Sequence, residues 1–268
     1  TMVMTSGAEI ASNTFGSGNG GDMVINVGSL TMDDAIIEAE ARENATGMAG
    51  SVTLSAKTIA LNNASRISSS NFGSGFGGLL DITADTITLR DASRIEADTL
   101  GAKGAGGLVF VRGKTIRLES GSEISSVTLG SGNAGFVSVE ADSLVLDSGA
   151  LLSSTFGSGQ AGAVLVAVGS LELRNFGEIT TSTYANGEAG QIAINARSIT
   201  MSSRAAISSE TFGSGPAGDI VITSLNGVRP DLTVTGGASI TSGQNGALAT
   251  GNAGSVQIEA NRIVLGPS

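Results

Sequence analysis

Residues 207–222 read ISSETFGSGPAGDIVI, and variants of this stretch recur along the whole chain. TFGSG itself stands at 14–18, 155–159 and 211–215, with NFGSG at 71–75, TLGSG at 128–132 and TYANG at 183–187. Each copy leads to a small residue followed by glycine, and these glycines are 29, 28, 28, 29, 27, 28, 28 and 36 residues apart. A fixed period of this size indicates one supersecondary unit stacked on itself. The glycines are Gly21, Gly50, Gly78, Gly106, Gly135, Gly162, Gly190, Gly218 and Gly254.

Each repeat holds three short segments in which apolar residues alternate with polar ones. One copy shows the pattern: Ile192, Ile194 and Ala196, then Ile199 and Met201, then Ile207 and the small Ser209. Period-two alternation is typical of strands with one buried face. Three such strands joined by bends make one coil, with successive coils ~4.8 Å apart. The sequence therefore predicts an all-β fold, a parallel β-helix that fills residues 1–268 as one domain of about nine coils.

The corners and loops of the coil give two further predictions. A polar column should form left-handed turns; its members are Asp34, Asn63, Asp91, Ser120, Ser148, Asn175 and Ser203. A phosphate-binding interpretation of the TFGSG loops fails, because a strand and not a helix follows the glycines. Instead we expect loop glycines with positive φ and a ladder of rings built from Phe15, Phe72, Phe156, Tyr184 and Phe212.

The pattern A-x-I-S-S-x-T-F-G-S-G-x-A-G-x-I-x-I-x-A-x-x-I-x-L resembles the repeat region of large filamentous-haemagglutinin-type exoproteins, especially those of cyanobacteria. The resemblance covers the whole chain. It implies a right-handed parallel β-helical stalk, export through an outer-membrane two-partner secretion transporter, and an adhesin that is secreted or held at the cell surface. The family's N-terminal secretion domain is not in this sequence, so we expect the chain to be a fragment of a longer exoprotein.

Composition bounds the chemistry. The net charge is −10, with 3 Lys and 11 Arg, which disfavours nucleic acid or an anionic membrane as partner. No apolar run approaches the ~18 residues that span a bilayer. With neither Cys nor His, the chain offers no disulfide, thiol nucleophile, imidazole base or soft metal ligand. We therefore predict no cofactor, no metal site and no membrane span.

The candidate acid–base residues are few. Glu96 and Asp98, flanked by Arg94, should face outward on one third strand, and Glu38 and Glu40 repeat the arrangement two coils earlier. The two carboxylate pairs should lie ~9.6 Å apart, which is too far for a shared metal and at the wide limit for an inverting glycosidase. We predict a solvated charged face, no catalytic residue and no enzymatic activity. The alternative is a β-helical carbohydrate-active or carbohydrate-binding module.

An apolar stripe is the predicted interaction surface. It should lie on the outward side of the first strand and comprises Leu79, Val109, Val111, Phe136, Leu165 and Val221. Exposed apolar patches of this kind usually mark an interface. Three explanations stay open: the TFGSG loops fold over the stripe, copies of the chain associate laterally through it, or its side chains are exposed singly without forming an interface. The partners predicted for the whole chain are the secretion transporter, surface glycans or other cells, and further copies of itself.

Two local features are also predictable. The copy between Gly218 and Gly254 should carry insertions near 226–231 and 243–250, with Pro230 at a bend because it cannot donate to a strand ladder. Arg94 should pair with Glu123 of the next coil, away from the like charge of Arg66.

Overall fold

The computed structural model describes residues 1–101, 103–246 and 249–267, and its regular elements within these ranges are all strands. They are β1 (Met2–Thr5), β2 (Glu9–Ala11), β3 (Met23–Asn26), β4 (Ser29–Asp33), β5 (Ile36–Glu38), β6 (Ser51–Asn62), β7 (Arg66–Ser68), β8 (Leu79–Leu89), β9 (Arg94–Glu96), β10 (Leu108–Glu119), β11 (Glu123–Ser125), β12 (Phe136–Asp147), β13 (Ala150–Leu152), β14 (Ala163–Arg174), β15 (Glu178–Thr180), β16 (Ile192–Met201), β17 (Ala206–Thr211), β18 (Ile220–Ser224), β19 (Asp231–Val234), β20 (Ser239–Gln244), β21 (Val256–Ile258) and β22 (Arg262–Leu265).

The strands form two parallel sheets, and each strand pairs with its equivalent one coil later. Sheet A has 13 strands and contains the long ones, whereas sheet B has 9 and contains the short ones. The register aligns Leu54, Ile82, Val111, Val139, Val166, Ile194 and Ile222 in one interior column. The chain is a parallel β-solenoid of about nine turns with a repeat of about 28 residues, as predicted.

The first two predicted strands of a coil are joined into one long strand from β6 to β16. Ala56 and Ile59 both point inward although they are three positions apart, and the ladder skips Lys57 between them. This break in the alternation bends the strand around a corner without ending it. The third predicted strand is only three residues long in β7 to β15, and a single parallel bridge follows it, as from Asn71 to Thr99.

The small residue on the inner side of the short strand hydrogen-bonds to a backbone carbonyl. Ser126 donates a hydrogen bond of 2.8 Å to the carbonyl of Gly107, and Ser209 donates one of 2.8 Å to Gly190. Both serines are buried, and so are Gly107 and Gly190, whose carbonyls they bind. Because a buried carbonyl without a partner costs free energy, this column favours serine over alanine.

The predicted left-handed corners are confirmed. All seven residues of the polar column have φ between +51° and +56°. The prediction for the loop glycines is wrong, because Gly73, Gly75, Gly157 and Gly159 do not have positive φ. Glycine is required at these positions because the neighbouring coil leaves no room for a side chain. A Cβ on Gly75, for example, would overlap the carbonyl oxygen of Gly47.

The irregular copy keeps the stack intact. β18 and β19 both pair with β16, so the insertion between them protrudes as a small hairpin, closed by reciprocal backbone hydrogen bonds of 3.1 Å between Leu225 and Val228. Pro230 lies at the bend before β19, as predicted. The inward residues Ile220, Ile222 and Leu232 remain buried. The second predicted insertion includes residues 247 and 248, which lie outside the described residues.

The predicted outward placement of Val109 and Val111 is wrong. Both are fully buried, and Leu108 and Phe110 face outward instead. The sequence has two glycines at 106 and 107, and the register sets Leu108 opposite Leu79, so Gly107 and not Gly106 continues the glycine column. A one-residue slip moves every side chain of a strand to the other face, which accounts for the error.

Candidate functional site: the outer face of sheet B

The side chains on the outer face of sheet B occupy three columns. In each coil they are the first and third residues of the short strand and the residue before the bridge, as Arg94, Glu96 and Asp98 illustrate. The residue after the bridge, Leu100 in this coil, forms a fourth column along one edge. Since equivalent residues stack in register, each column brings side chains from successive coils together.

Arg66 joins the carboxylates of two coils that flank its own. Its guanidinium lies 2.8 Å from Glu38, 3.2 Å from Glu40 and 3.1 Å from Glu96. Those three side chains are 1%, 0% and 8% exposed. The predicted solvated face is therefore wrong at this end of the sheet, because the carboxylates are buried under the arginine. The acid–arginine cluster is Glu38, Glu40, Arg42, Arg66, Arg94, Glu96, Asp98 and Glu123.

Residues of neighbouring coils and loops cover this cluster. Asn13 donates a hydrogen bond of 2.6 Å to Glu38 and accepts one of 2.9 Å from the amide of Glu40. Arg42 pairs with both glutamates, and its guanidinium lies over the ring of Phe72, 5.8 Å from the ring centre. The Glu40 carboxylate is completely enclosed, and within the described part of the chain its Oε2 accepts no hydrogen bond. Burial raises the pKa of Glu40.

Asp98 has the largest electrostatic perturbation of the face. It is half-buried and accepts hydrogen bonds from the Val127 amide (2.7 Å) and the Ser125 hydroxyl (3.0 Å). Burial, reinforced by the charge of Glu96, raises the pKa of Asp98 to about 7, although both hydrogen bonds oppose the rise. Burial also raises the pKa of Glu123, which Arg94 counters.

The Arg94 pairing is as predicted. Its Nε lies 3.1 Å from Glu123 and its Nη1 is 3.8 Å from Glu96. Five carboxylates of the cluster thus face three guanidiniums. This arrangement can hold protons near neutral pH, but the enclosed Glu38 and Glu40 leave no room for a substrate between them and Arg66.

The same face opens into a groove three coils further on. We call it the Tyr184 groove; its volume is about 280 Å³. Hydroxyl side chains and two carboxylates form its floor, and three rings form its wall, with an apolar end at Val127 and Leu152. These lining residues are Ser154, Thr180, Ser182, Ser208, Glu178, Glu210, Phe156, Tyr184 and Phe212.

The wall of the groove is formed by three rings of the predicted ladder, which is therefore confirmed only in part. Tyr184 stacks between Phe156 and Phe212, with ring centres 4.3 and 4.6 Å apart and planes within 6° of parallel. Elsewhere the ladder is broken: Phe72 lies against Arg42, and Phe15 is 72% exposed. Leucines replace the rings in the two intervening coils. Burial raises the pKa of Tyr184, and the charges of Glu178 and Glu210 add to the rise.

Sequence reasoning missed the floor of this groove. Its residues were not singled out because they vary from coil to coil, with Leu152, Thr180 and Ser208 sharing one column. The signal was nonetheless present, since these positions are the equivalents of the outward Glu96 and Asp98.

The apolar stripe lies on the outer face of sheet A, but two of its residues differ from those predicted. Leu79, Phe136, Leu165 and Val221 face outward and are half-buried. Leu108 and Phe110 take the places predicted for Val109 and Val111; Leu108 is 45% exposed, and the Phe110 ring lies 5.7 Å from that of Phe136.

Within the described ranges, no three or more acidic side chains are grouped to hold a metal ion, and no helix has the length and apolar character needed to cross a membrane. Comparisons with family models, curated proteins and solved structures found no match to this chain.

Proposed function

We propose that this chain is a structural and adhesive stalk segment of a secreted or cell-surface exoprotein of the filamentous-haemagglutinin type, without catalytic activity. Its repeat resembles that family, and its uninterrupted stack of coils suits an extended element that displays its faces. In this proposal a secretion domain encoded upstream directs export through an outer-membrane transporter. The full open reading frame tests that part, because an unrelated upstream region would refute it.

One observation carries the non-catalytic part of the proposal. Three of the four candidate acid–base carboxylates, Glu38, Glu40 and Glu96, are buried and bound by Arg66 at 2.8 to 3.2 Å. The fourth, Asp98, is half-buried and hydrogen-bonded to Val127 and Ser125. A general acid or base must reach the proton that it transfers, and the three glutamates are already committed to an arginine. The cluster therefore supports a stabilising role for charges that resemble a catalytic set.

The test is incubation of the purified chain with neutral and acidic polysaccharides, with and without divalent cations. We expect no time-dependent release of reducing or unsaturated ends. Release that is abolished by Glu96→Gln or Asp98→Asn would instead support the alternative, a carbohydrate-active module. Adhesion is measured in parallel by coating beads with the chain and counting attached cells.

Lateral association is the second element of the proposal. The corrected stripe on sheet A supports it, because the exposed Leu108 and the half-buried rings of Phe110 and Phe136 lie together on the outer face of neighbouring coils. Sedimentation velocity over a range of concentrations is the test. Phe136→Ser combined with Leu165→Ser should lower the sedimentation coefficient of any assembly while the β-sheet circular dichroism stays unchanged. An identical assembly in this variant would exclude the stripe as the interface.

A further inference from the structure

The Tyr184 groove offers polar groups that the protein itself leaves without partners. Thr180 hydrogen-bonds to Ser182 (3.0 Å) and to Ser208 (3.1 Å), so the floor is a connected row of hydroxyls across two coils. No described residue donates a hydrogen bond to the Glu178 carboxylate or binds the Tyr184 hydroxyl, although both groups line the groove. Hydroxyls both donate and accept, and carboxylates accept, so the floor matches a ligand rich in hydroxyl groups.

The charge of the groove narrows the ligand class. The acidic lining residues are Glu178 and Glu210, and none of the described lining residues is Lys or Arg. Glu210 is held by Thr241 (3.1 Å) and Asn245 (2.7 Å), both uncharged donors. A polyanionic ligand would meet two carboxylates without a compensating cation, and like charges at short range repel.

The wall adds an apolar strip to the polar floor. Because Tyr184 stacks between Phe156 and Phe212, both faces of its ring are covered and its C–H edge is the apolar surface that it can offer to the groove; Phe156 is 49% and Tyr184 45% exposed. Sugar rings carry C–H groups on their faces and hydroxyls on their rims. A chain of them could contact the strip and the floor at once.

We propose that the Tyr184 groove binds an uncharged glycan chain that lies along the solenoid axis. This inference rests on the proposed adhesive function, for which it names the surface and the ligand class. The glycan is held by hydrogen bonds to Thr180, Ser182 and Glu178 and by contact with the ring edges.

The chain contains its own reporter for this site. It has one Tyr and no Trp, so tyrosine emission arises from Tyr184 alone. The experiment titrates the purified chain with a panel of linear uncharged hexasaccharides from cellulose, xylan, mannan and starch. A galacturonate hexamer serves as the anionic probe and a chitosan hexamer as the cationic probe. We expect a saturable change in emission with at least one uncharged probe and none with the galacturonate hexamer. High salt should leave the uncharged ligand's affinity unchanged, because no ion pair contributes.

Variants built from residues of neighbouring coils keep the fold. Thr180→Leu and Ser182→Val place in the groove the residues that Leu152 and Val127 already supply at the same positions. Loss of two hydrogen bonds should weaken binding about tenfold. The matched control is Thr200→Val on the outer face of sheet A, where Val145 occupies the same column; it should bind like the parent chain.

Three outcomes would overturn the inference: no response to any uncharged probe, equal binding of the galacturonate hexamer, or binding of the chitosan hexamer alone. The consequences for the proposed function are separate. Cell adhesion that persists when the groove binds no sugar would refute only the inference, whereas cleavage of a bound hexasaccharide would refute the non-catalytic role.

Discussion

Replacing Asp98 by Asn should stabilise the protein at pH 8 and have little effect at pH 4. The carboxyl of Asp98 is half-buried beside Glu96, and its pKa rises from 3.8 to about 7. The folded state therefore holds this proton more tightly than the unfolded state. Its contribution to stability is complete below about pH 4 and is lost as the pH rises through about 7. The Asn side chain keeps the oxygen that accepts from Val127 and Ser125 and removes the charge.

The magnitude follows from the same environment. A difference of about three pKa units corresponds to at most about 4 kcal/mol. We expect roughly half of that, because part of the side chain reaches solvent and because Asp98 and Glu96 titrate as a pair. The free energy of unfolding of the Asp98→Asn variant should therefore exceed that of the parent by about 2 kcal/mol at pH 8.

Urea unfolding followed by circular dichroism at pH 4, 6 and 8 measures the effect, and the quantity of interest is the pH-dependent part of the difference between variant and parent. Other raised carboxyls are common to both proteins and cancel. Asp85→Asn is the control of opposite sign, because Asp85 pairs with Lys114 at 2.9 Å and this partner lowers the pKa of Asp85; that variant should lose a little stability at pH 8. A constant offset for Asp98→Asn at all three pH values would refute the reasoning.

Two further pairs of variants test the packing between coils. Arg66→Ala removes the cation that binds three buried carboxylates and should lower the free energy of unfolding by about 3–5 kcal/mol. Arg94 has a side chain that is 49% exposed, so Arg94→Ala should lower it by at most about 1 kcal/mol. Similar urea midpoints for the two variants would contradict the burial of the cluster. Gly190→Ala places a Cβ on the carbonyl oxygen of Gly162 and should cost about 3 kcal/mol, whereas Gly28→Ala meets no atom within 4 Å and should be tolerated. Equal thermal stability of the two glycine variants would show that coil-to-coil contact does not explain the glycine column.

The repeat period made the fold predictable, and each position that was predicted wrongly has a physical cause. Alternation identified the inward residues wherever one glycine marked the start of a strand. At residues 106 and 107 two glycines made the register ambiguous by one position, which inverted Val109 and Val111. The loop glycines were recognised as special, but a sequence read along one coil does not show the carbonyl of the coil below, and that carbonyl is what excludes a side chain.

The candidate site was harder to predict, because it is built from several coils at once. Alternation placed Glu38 and Glu96 on the outer face, which is correct, but whether an outer side chain is buried depends on its neighbours above and below. Stacking the repeats in register would have set Ser68 between the two glutamates and Arg66 in the adjacent column of the same coil. The Tyr184 groove is still harder to predict from the sequence, because its depth depends on the position of the ring wall beside the hydroxyl floor.

The acid–arginine cluster also disfavours any fold in which one coil is left out of the stack. A chain of similar repeats can fold with one coil looped out and the next taking its place. If the coil that carries Arg66 were skipped, Glu38 would stack on Glu96 and Glu40 on Asp98, and the guanidinium that joins the two coils would be lost. Such a stack of carboxylates is strongly unfavourable when buried, whereas skipping a coil that carries only Ser and Thr at these positions carries no comparable penalty. We therefore expect folding errors to concentrate in the C-terminal half, where the described outer face of sheet B has no comparable acid–arginine cluster and the ion pairs of Arg174 lie on sheet A.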